Sequence, residues 1–372
     1  MRPRGTITSR SAGSYRIRYS LGRDPVSGKR RFGTATIRGS RRQAEKELIR
    51  LLRSVDTGEH VDPSRLTVGE WLGAWLKALE ISPKAKERYA EVVRCHLKPA
   101  LGQVQLTKLM PIQIQEAYAS FRGTRGPLSP LTRRYIHVVL RSALARAVEQ
   151  QLLARNPADI FRKHLPKVER KEISTLTVEQ STQLLKSLRE KHIYWPVLLA
   201  LTTGMRRGEI LALRWRNVDF ARGMLRVVQS LEQTNRIIRF KDCKTGKNRA
   251  ITLPQFAVDE LRQHKAQQAE ALLRLGIRQS GETLVCCRED GEAKWPRSLT
   301  REFAALRSGV RFHDLRHSHA TQLLADGVHP KIAQERLGHS TITMTMDLYS
   351  HVTETMQSDA AARLDIAFRR SW

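Results

Sequence analysis

Residues 203–215 of this chain have the sequence TGMRRGEILALRW. They follow an apolar segment, Pro196–Leu201, whose composition is typical of a buried helix. Gly204 is predicted to end that helix, because glycine interrupts helical segments more readily than residues with side chains. Arg206 would then stand at the start of the next helix, from where its guanidinium can enter a site.

Three further stretches downstream carry residues suited to chemistry. Lys244 lies in a predicted turn between two strands, where a long flexible amine can swing toward a ligand. His313 and Arg316 are three residues apart and therefore share one face of a predicted helix. His339 follows a Leu-Gly pair, and Tyr349 lies in a short predicted helix beyond it. Taken singly, each residue is more often structural or solvent-exposed, so only their combination indicates a site.

In order and spacing, these four stretches resemble the tyrosine recombinase (phage integrase) family over residues 174 to about 360. The two units that precede them are similar to that family's usual companions, an arm-type DNA-binding module and a helical core-binding domain. This second similarity rests on pattern and length rather than on signature residues.

The resemblance implies a set of functional residues. The implied catalytic residues are Arg206, Lys244, His313, Arg316, His339 and Tyr349. Glu209 would brace the site, Tyr349 would be the nucleophile, and Lys244 would protonate the leaving oxygen. Lys247 is a rival for that proton-donor role, and His317 and His319 leave the assignment of the histidines open.

Physical chemistry supports the same roles. Two guanidiniums can grip the anionic oxygens of a phosphodiester in bidentate fashion, which a lysine does less well. A tyrosine hydroxyl has an ordinary pKa of about 10, so it needs a base or a positive field to attack near neutral pH. The leaving 5′ oxygen needs a general acid. The chain has no Walker A motif and no carboxylate cluster suited to two Mg²⁺ ions, so we expect neither a metal nor another cofactor.

The charge balance indicates a polyanionic partner. Lys and Arg number 66 against 36 Asp and Glu, for a formal net charge of +30. Such a field attracts nucleic acid, since each phosphate contacted by a cation releases a condensed counterion. The alternative is a ribosome-associated or merely basic protein. The chain has 372 residues, 40% of them hydrophobic, which is enough to bury two or three domain cores.

Cysteine usage and the absence of apolar runs predict a reducing, intracellular setting, and the resemblance implies the cytoplasm of a bacterial host, with the protein at the nucleoid when it is bound to DNA. The four cysteines are Cys95, Cys243, Cys286 and Cys287. Their spacing fits neither a zinc site nor a disulfide framework, which favours a reducing compartment. No run of about 18 apolar residues occurs, and the first residues lack the apolar segment of a secretion signal, so no membrane partner is expected.

The predicted fold is multidomain and mainly α with small β-sheets, an α+β protein. Residues 1–65 form a strongly cationic module, with strands at 14–20 and 29–37 and a helix from Arg41; the resemblance implies a three-stranded sheet. Residues 66–163 are predicted to be a helical, SAM-like core-binding domain, and 164–173 a charged, proline-containing linker. Residues 174–372 would be the helix-dominated catalytic domain, with strands at 224–230, 237–240 and 249–253. Its helices are predicted at 255–274, 298–307, 313–327, 330–337 and 354–367.

Five arginines outside the catalytic set are candidate DNA contacts. Arg16 and Arg18 alternate along the first predicted strand, and Arg133, Arg134 and Arg141 surround the apolar stripe of a helix over 131–150. A solvated surface is the alternative for each group. The tryptophans of the second unit lie on apolar stripes and are expected in its core.

The resemblance implies a recombinase that forms a 3′-phosphotyrosyl bond and works as a homotetramer on double-stranded DNA, through a four-way junction. An integrase of a phage or mobile element would bind core and arm attachment sites, with accessory DNA-bending or excision factors as further partners. A chromosome-dimer resolvase and a type IB topoisomerase use the same chemistry, and a non-catalytic DNA-binding regulator is the rival from another class. The segment Asp359–Phe368 is amphipathic and would pack either on a neighbouring protomer or on its own domain.

Overall fold

The computed structural model describes most of the chain. The described residues are 5–23, 27–57, 65–123, 126–169, 174–235, 237–242, 248–343, 345–346, 361–362, 364–366 and 368–369. The chain divides into two compact units, Met1–Arg170 and Lys171–Trp372. Within the first unit, the boundary that we place between residues 65 and 66 stays a prediction.

The first unit begins with a three-stranded antiparallel sheet and a helix, as predicted. The elements are β1 (Gly5–Ser11), β2 (Ser14–Arg23), β3 (Arg30–Arg38) and α1 (Arg41–Asp56), with β2 in the centre. Ser40 and Gln43 form a capping box at the start of α1, in which each side chain accepts a hydrogen bond from the other's backbone N–H. Ile17 and Tyr19 point from β2 toward α1 and are buried with Ala44. The alternation along β2 therefore turns Arg16 and Arg18 to the opposite, exposed face.

The rest of the first unit is helical. Its helices are α2 (Val68–Ala78), α3 (Pro83–Val92), α4 (Lys98–Leu101), α5 (Pro111–Ser120) and α6 (Pro130–Glu149); β4 (Arg122–Gly123) and β5 (Gly126–Pro127) form a minimal hairpin. At its end α3 passes directly into a π-helical turn at Val93–Leu97. Trp71 and Trp75 are core residues, as predicted, and the Trp71 indole donates to the Ala143 carbonyl.

The second unit mixes helices with two small sheets. Its helices are α7 (Val178–Leu188), α8 (Tyr194–Thr203), α9 (Arg207–Leu211), α10 (Gln255–Arg274), α11 (Pro296–Ala305), α12 (Asp314–Ala325) and α13 (Pro330–Leu337). Its strands are β6 (Val218–Asp219), β7 (Met224–Val227), β8 (Gln229–Thr234), β9 (Ile237–Asp242) and β10 (Arg249–Thr252), paired as β10-β7-β6 and β8-β9. The strand predicted over 224–230 is wrong as a single element, because the chain changes its pairing partner at Val228.

The core of the second unit surrounds α8. Val197, Leu198 and Leu199 of this helix are completely buried, which confirms the buried helix predicted before Gly204. His264 of α10 stacks on Trp195 with ring centroids 4.0 Å apart. Its Nε2 atom lies 2.8 Å from the Val285 carbonyl oxygen, so the ring is a satisfied core histidine.

The predicted helix over 354–367 lies largely outside the described residues. The described residues beyond position 360 are helical, and Leu364, Ile366 and Phe368 are exposed there. None of the helices in the described ranges combines the length and the apolar composition needed to cross a membrane.

Candidate active site

Arg206 lies at the junction of two helices in the second unit. Gly204 ends α8 in the left-handed conformation, with φ +64°, and the extended backbone of Arg206 then opens α9. The Arg206 backbone N–H donates to Glu209 Oε2 over 2.8 Å, and its Nη1 donates to Glu209 Oε1 over 2.9 Å. Glu209, in the first turn of α9, thus fixes both the backbone and the guanidinium of Arg206. Its side chain is 41% exposed and remains open to a ligand.

Glu209 is a buried carboxylate that holds two arginines. Its side chain is 4% exposed, and Arg249 Nη2 and Nη1 donate to its two oxygens over 2.6 and 3.2 Å. Burial raises the pKa of Glu209, but the hydrogen bonds and charges of Arg249 and Arg206 outweigh burial and leave this pKa below its ordinary value. The carboxylate is therefore ionised in the folded protein.

Arg316 is the second candidate arginine and lies in the first turn of α12. Its residue is 3% exposed, and its Nη1 donates to the Gly204 carbonyl over 2.5 Å. Its Nη2 donates to the Leu337 carbonyl over 2.7 Å. Burial, followed by the charge of Arg206, lowers the pKa of Arg316 to about 9, so the guanidinium stays protonated at neutral pH.

Three arginines together cap the C-terminus of α13, an arrangement that we call the arginine cap. Arg249 Nε donates to the carbonyl of residue 336 (2.9 Å), Arg316 to that of residue 337 (2.7 Å), and Arg206 Nη2 to that of residue 338 (2.9 Å). The last carbonyls of a helix have no partner within it and carry its negative dipole end, so three cations stabilise them. The arginine cap fixes the chain immediately before His339.

The candidate histidines lie beside the same arginines. His313 precedes α12, and its ring meets that of His317 edge to face with centroids 5.0 Å apart. His339 Nδ1 lies 2.9 Å from the Thr345 hydroxyl. Desolvation, followed by the charges of His317 and Arg316, lowers the pKa of His313 to about 4, although this residue reaches solvent. Desolvation, followed by the charges of Arg316 and Arg206, lowers the pKa of His339 to about 4. The structure therefore brings His313, His339 and both arginines together.

Three predicted site residues lie outside the described residues: Lys244, its rival Lys247 and Tyr349. The strands on either side of the predicted lysine turn belong to different sheets, because β9 pairs with β8 and β10 with β7. The roles of these three residues stay predictions.

Sequence reasoning missed Arg249, which completes the buried charge cluster. Arg249 occupies an inward position of β10, two residues before the buried Ile251. An arginine in phase with a buried residue of a strand was the available signal. Its guanidinium carries an extra positive charge into the site.

Arg336 was also missed, and it ties the surrounding elements together. Its Nη2 and Nη1 donate to the carbonyls of Thr202 and Thr252, each over 2.9 Å. Its Nε donates to His319 Nε2 over 3.1 Å, while Nδ1 of that ring faces the Leu201 carbonyl at 2.8 Å. His319, left unassigned by the sequence, thus joins α8 to α13 as a neutral imidazole whose burial lowers its pKa to about 4.

The candidate DNA contacts on the N-terminal sheet are solvent-exposed. Arg16 and Arg18 lie on the outer face of β2, and the Arg18 guanidinium stacks 4.1 Å from the centroid of the Phe32 ring. This stacking orders an exposed cation without neutralising it.

The three candidate arginines of α6 differ from one another. Arg134 is exposed, whereas the buried Nε of Arg133 has no hydrogen-bond partner among the described atoms. Arg141 Nε lies 2.6 Å from Asp159 in an ion pair. These positions leave Arg134 as the most available cation of the three for a phosphate.

Known proteins resemble this chain along most of its length. A model of the phage integrase family matches residues 171–356, and a model of the phage integrase N-terminal SAM-like domain matches residues 67–121. A "Tyrosine recombinase XerC-like" protein of Caldanaerobacter subterraneus is 28% identical and covers 95% of this chain and 96% of its own. The ICEBs1 integrase of Bacillus subtilis is 26% identical, with coverages of 95% and 97%.

Solved structures share the fold. The Tn1549 transposon integrase in complex with a circular intermediate DNA has a TM-score of 0.66 and 19% identity, over 80% of this chain and 99% of that one. A lambda integrase tetramer bound to a Holliday junction has a TM-score of 0.57 and 21% identity, over 92% and 97%. Because the first family model covers half of the sequence, the chain belongs to the phage integrase family of tyrosine recombinases, which cut and rejoin DNA in site-specific recombination.

Proposed function

We propose that this integrase cleaves double-stranded DNA with Tyr349 as its nucleophile. The tyrosine oxygen attacks the scissile phosphorus, a 3′-phosphotyrosyl bond forms, and the bond from phosphorus to the 5′ oxygen breaks. Lys244, or its rival Lys247, gives a proton to the departing 5′ oxygen. The released 5′-hydroxyl of the partner duplex later attacks the phosphotyrosine, which restores a phosphodiester and frees the tyrosine.

The observation that carries this proposal is the surplus of positive charge around Glu209. Arg206, Arg249 and Arg316 surround one ionised carboxylate, which leaves two positive charges uncompensated within the described part of the cluster. A phosphodiester carries about one negative charge, and its pentacoordinate transition state about two. The cluster therefore matches the transition state better than the ground state, which is the condition for catalysis.

The protein's own acceptors use only part of the N–H donors of Arg206 and Arg316. A guanidinium has five N–H donors. Arg206 and Arg316 each direct two of them, through Nη1 and Nη2, to the protein acceptors described above. The protein contacts thus orient both planar groups in advance and keep further donors for the non-bridging oxygens.

His313 and His339 are suited to proton transfer beside these arginines. A neutral imidazole offers one donor and one acceptor nitrogen, so it can accept the proton of Tyr349 or donate to a phosphate oxygen. The arriving phosphate is an anion and would raise both pKa values toward neutrality, since a nearby negative charge favours the protonated ring.

The proposed organisation of the chain follows from this chemistry and from its relatives. Residues 1–65 would bind arm sites through Arg16 and Arg18, and residues 66–163 core sites through Arg133, Arg134 and Arg141. The linker 164–173 would join them to the catalytic domain, 174–372. The lambda integrase tetramer on a Holliday junction supports a homotetramer that acts through a four-way junction. The tetramer would integrate and excise a phage or mobile element, with accessory DNA-bending or excision factors as further partners. We place this reaction in the cytoplasm of a bacterial host.

Covalent trapping on a nicked suicide duplex tests the proposal. In EDTA, the protein should form an adduct at the 3′ phosphate of a duplex that carries the attachment site, or of the native genomic flanks. Tyr349→Phe should abolish the adduct, whereas Tyr135→Phe removes a hydroxyl in the first unit and should keep it. Tight binding to a duplex shown to contain the site, with no adduct, would instead indicate a non-catalytic DNA-binding regulator. Relaxation of supercoils without strand exchange would indicate a topoisomerase.

A further inference from the structure

Strand β10 begins with an arginine whose side chain points into the second unit. Arg249 shares the inner face of the strand with Ile251, and its side chain is only 12% exposed. A buried guanidinium is costly unless its donors find acceptors. The hydrogen-bond acceptors of Arg249 therefore indicate its role in the second unit.

Arg249 bonds two separate elements. Nη1 and Nη2 grip both oxygens of Glu209 in α9, and Nε donates to the carbonyl of residue 336 at the end of α13. An added Cβ on Gly338 would lie 3.0 Å from Arg249 Nη1, so this group would have to shift by a few tenths of an ångström. The planar fork of an arginine can serve both elements at once, and an ammonium group cannot reproduce that geometry.

Both attachment points of Arg206 depend on these two contacts. Arg206 donates to Glu209, the carboxylate that Arg249 grips, and to the carbonyl of Gly338, two residues beyond the carbonyl that Arg249 holds. Removing Arg249 would leave Glu209 to Arg206 alone and would release one of the three bonds of the arginine cap. The Arg206 guanidinium would then lose its fixed orientation toward a phosphate.

We infer that Arg249 is a positioning residue for the scissile phosphate. It sets the Arg206 guanidinium through Glu209, and it sets the turn before His339 through the arginine cap, without contacting DNA. This inference rests on the proposed role of Arg206.

The test compares two suicide duplexes that differ only at the scissile linkage. One carries the normal phosphodiester, and the other a methylphosphonate, in which a methyl group replaces a non-bridging oxygen and removes its charge. Adduct rates at saturating protein and dissociation constants are measured for wild type, Arg249→Met, Arg249→Lys and Arg206→Ala. Arg226→Met is the matched control, since Arg226 is an exposed arginine on the paired strand β7, opposite Ala250.

Arg249→Met should lower the adduct rate on the phosphodiester about 100-fold, since misplacing a catalytic group by about 1 Å has an effect of that size. DNA affinity should stay within about threefold of wild type. On the methylphosphonate the loss should shrink to less than about tenfold, because less charge develops there, and Arg206→Ala should behave in the same way. Arg249→Lys should recover only part of the rate, and Arg226→Met should resemble wild type.

Equal losses on the two duplexes would overturn the inference, since a merely structural defect does not depend on the charge of the linkage. An unchanged rate, or a loss of affinity alone, would overturn it as well. If Arg249→Met does not fold, Arg249→Lys and the charge-free pair Arg249→Met/Glu209→Gln are compared on the same duplexes. A wild-type protein that forms no adduct on the phosphodiester would refute the proposed function itself, and the inference with it.

Discussion

At the scale of single residues, Glu209 explains how the protein itself holds the candidate arginines in place. One buried carboxylate accepts from two arginines, and a third arginine joins them at the end of α13. Removing one partner of a buried ion pair strongly destabilises the folded protein, because the other charge is left buried without compensation. The Glu209 carboxylate therefore orients the arginines while it neutralises only one of their positive charges.

The buried histidines predict that stability falls in weak acid. Burial lowers the pKa values of His264 and His319 to about 4, whereas an unfolded histidine titrates near 6.5. Between these values the unfolded chain binds more protons, so the free energy of unfolding decreases as pH falls from about 6.5 to 4, by up to about 3 kcal/mol for each residue. The free energy of unfolding of the second unit can be measured by urea titration at pH 7.5, 5.5 and 4.5.

Two histidine variants serve as controls for that pH dependence. His264→Phe keeps an aromatic ring against Trp195 and should flatten the dependence, whereas His164→Gln, at an exposed position of the first unit, should leave it unchanged. A stability that is flat between pH 7.5 and 4.5 in the wild type would contradict the prediction.

The limits of prediction at this scale follow from where side chains point. Arg206, Arg316 and Glu209 stand in spacings that identify them, and the structure brings them together with His313 and His339. The sequence did not identify Arg249 and Arg336, because arginine is usually exposed and only tertiary contacts turn these two side chains inward. The roles of Lys244 and Tyr349 still rest on the sequence alone.

At the scale of elements, the end of α13 couples the fold to the chemistry. The last carbonyls of a helix need hydrogen-bond donors, and a residue in the left-handed conformation commonly ends the helix. In α13 the arginine cap supplies the donors, and Gly338 is the left-handed residue. The same bonds orient Arg206 and the chain before His339.

Gly338→Ala should therefore impair cleavage beyond its effect on stability. Gly338 and Gly327 both follow helices with positive φ, +67° and +77°, so alanine at either should cost about 1–2 kcal/mol. Only at Gly338 would the new Cβ meet the Arg249 guanidinium; at Gly327 nothing lies within 4 Å among the described atoms. The adduct rate should fall at least about tenfold in Gly338→Ala and stay near wild type in Gly327→Ala. Equal rates in the two variants would contradict this coupling.

Helices were more predictable from the sequence than strands, for a physical reason. The boundaries of α10 and α13 follow from local periodicity and match those predicted. The predicted strand over 224–230 failed because its division into β7 and β8 is set by pairing with β10 and β9, which lie further along the chain. Local alternation carries no information on which partner a strand takes.

At the scale of the whole molecule, the net charge of +30 acts on DNA before any single contact forms. Composition predicted a nucleic-acid partner and more than one core, and the fold has separate cores in both units. Charge alone does not show which arginines are free to meet phosphates. That depends on ion pairs within the protein, which only the structure displays.

Two arginines of α6 make this distinction measurable through the salt dependence of binding. Each phosphate contact contributes about −0.9 to the slope of log K against log salt on duplex DNA. Arg134 is exposed, so Arg134→Gln should reduce the steepness of the slope by about that amount. Arg141 already neutralises Asp159, and a phosphate would have to replace that carboxylate, so Arg141→Gln should change the slope by clearly less. Fluorescence anisotropy on a core-site duplex from 50 to 300 mM salt, roughly the range in which such slopes are resolved, provides the comparison. An equal change in both variants would mean that DNA pulls Arg141 away from Asp159, and that the ion pairs of the free protein do not predict its contacts.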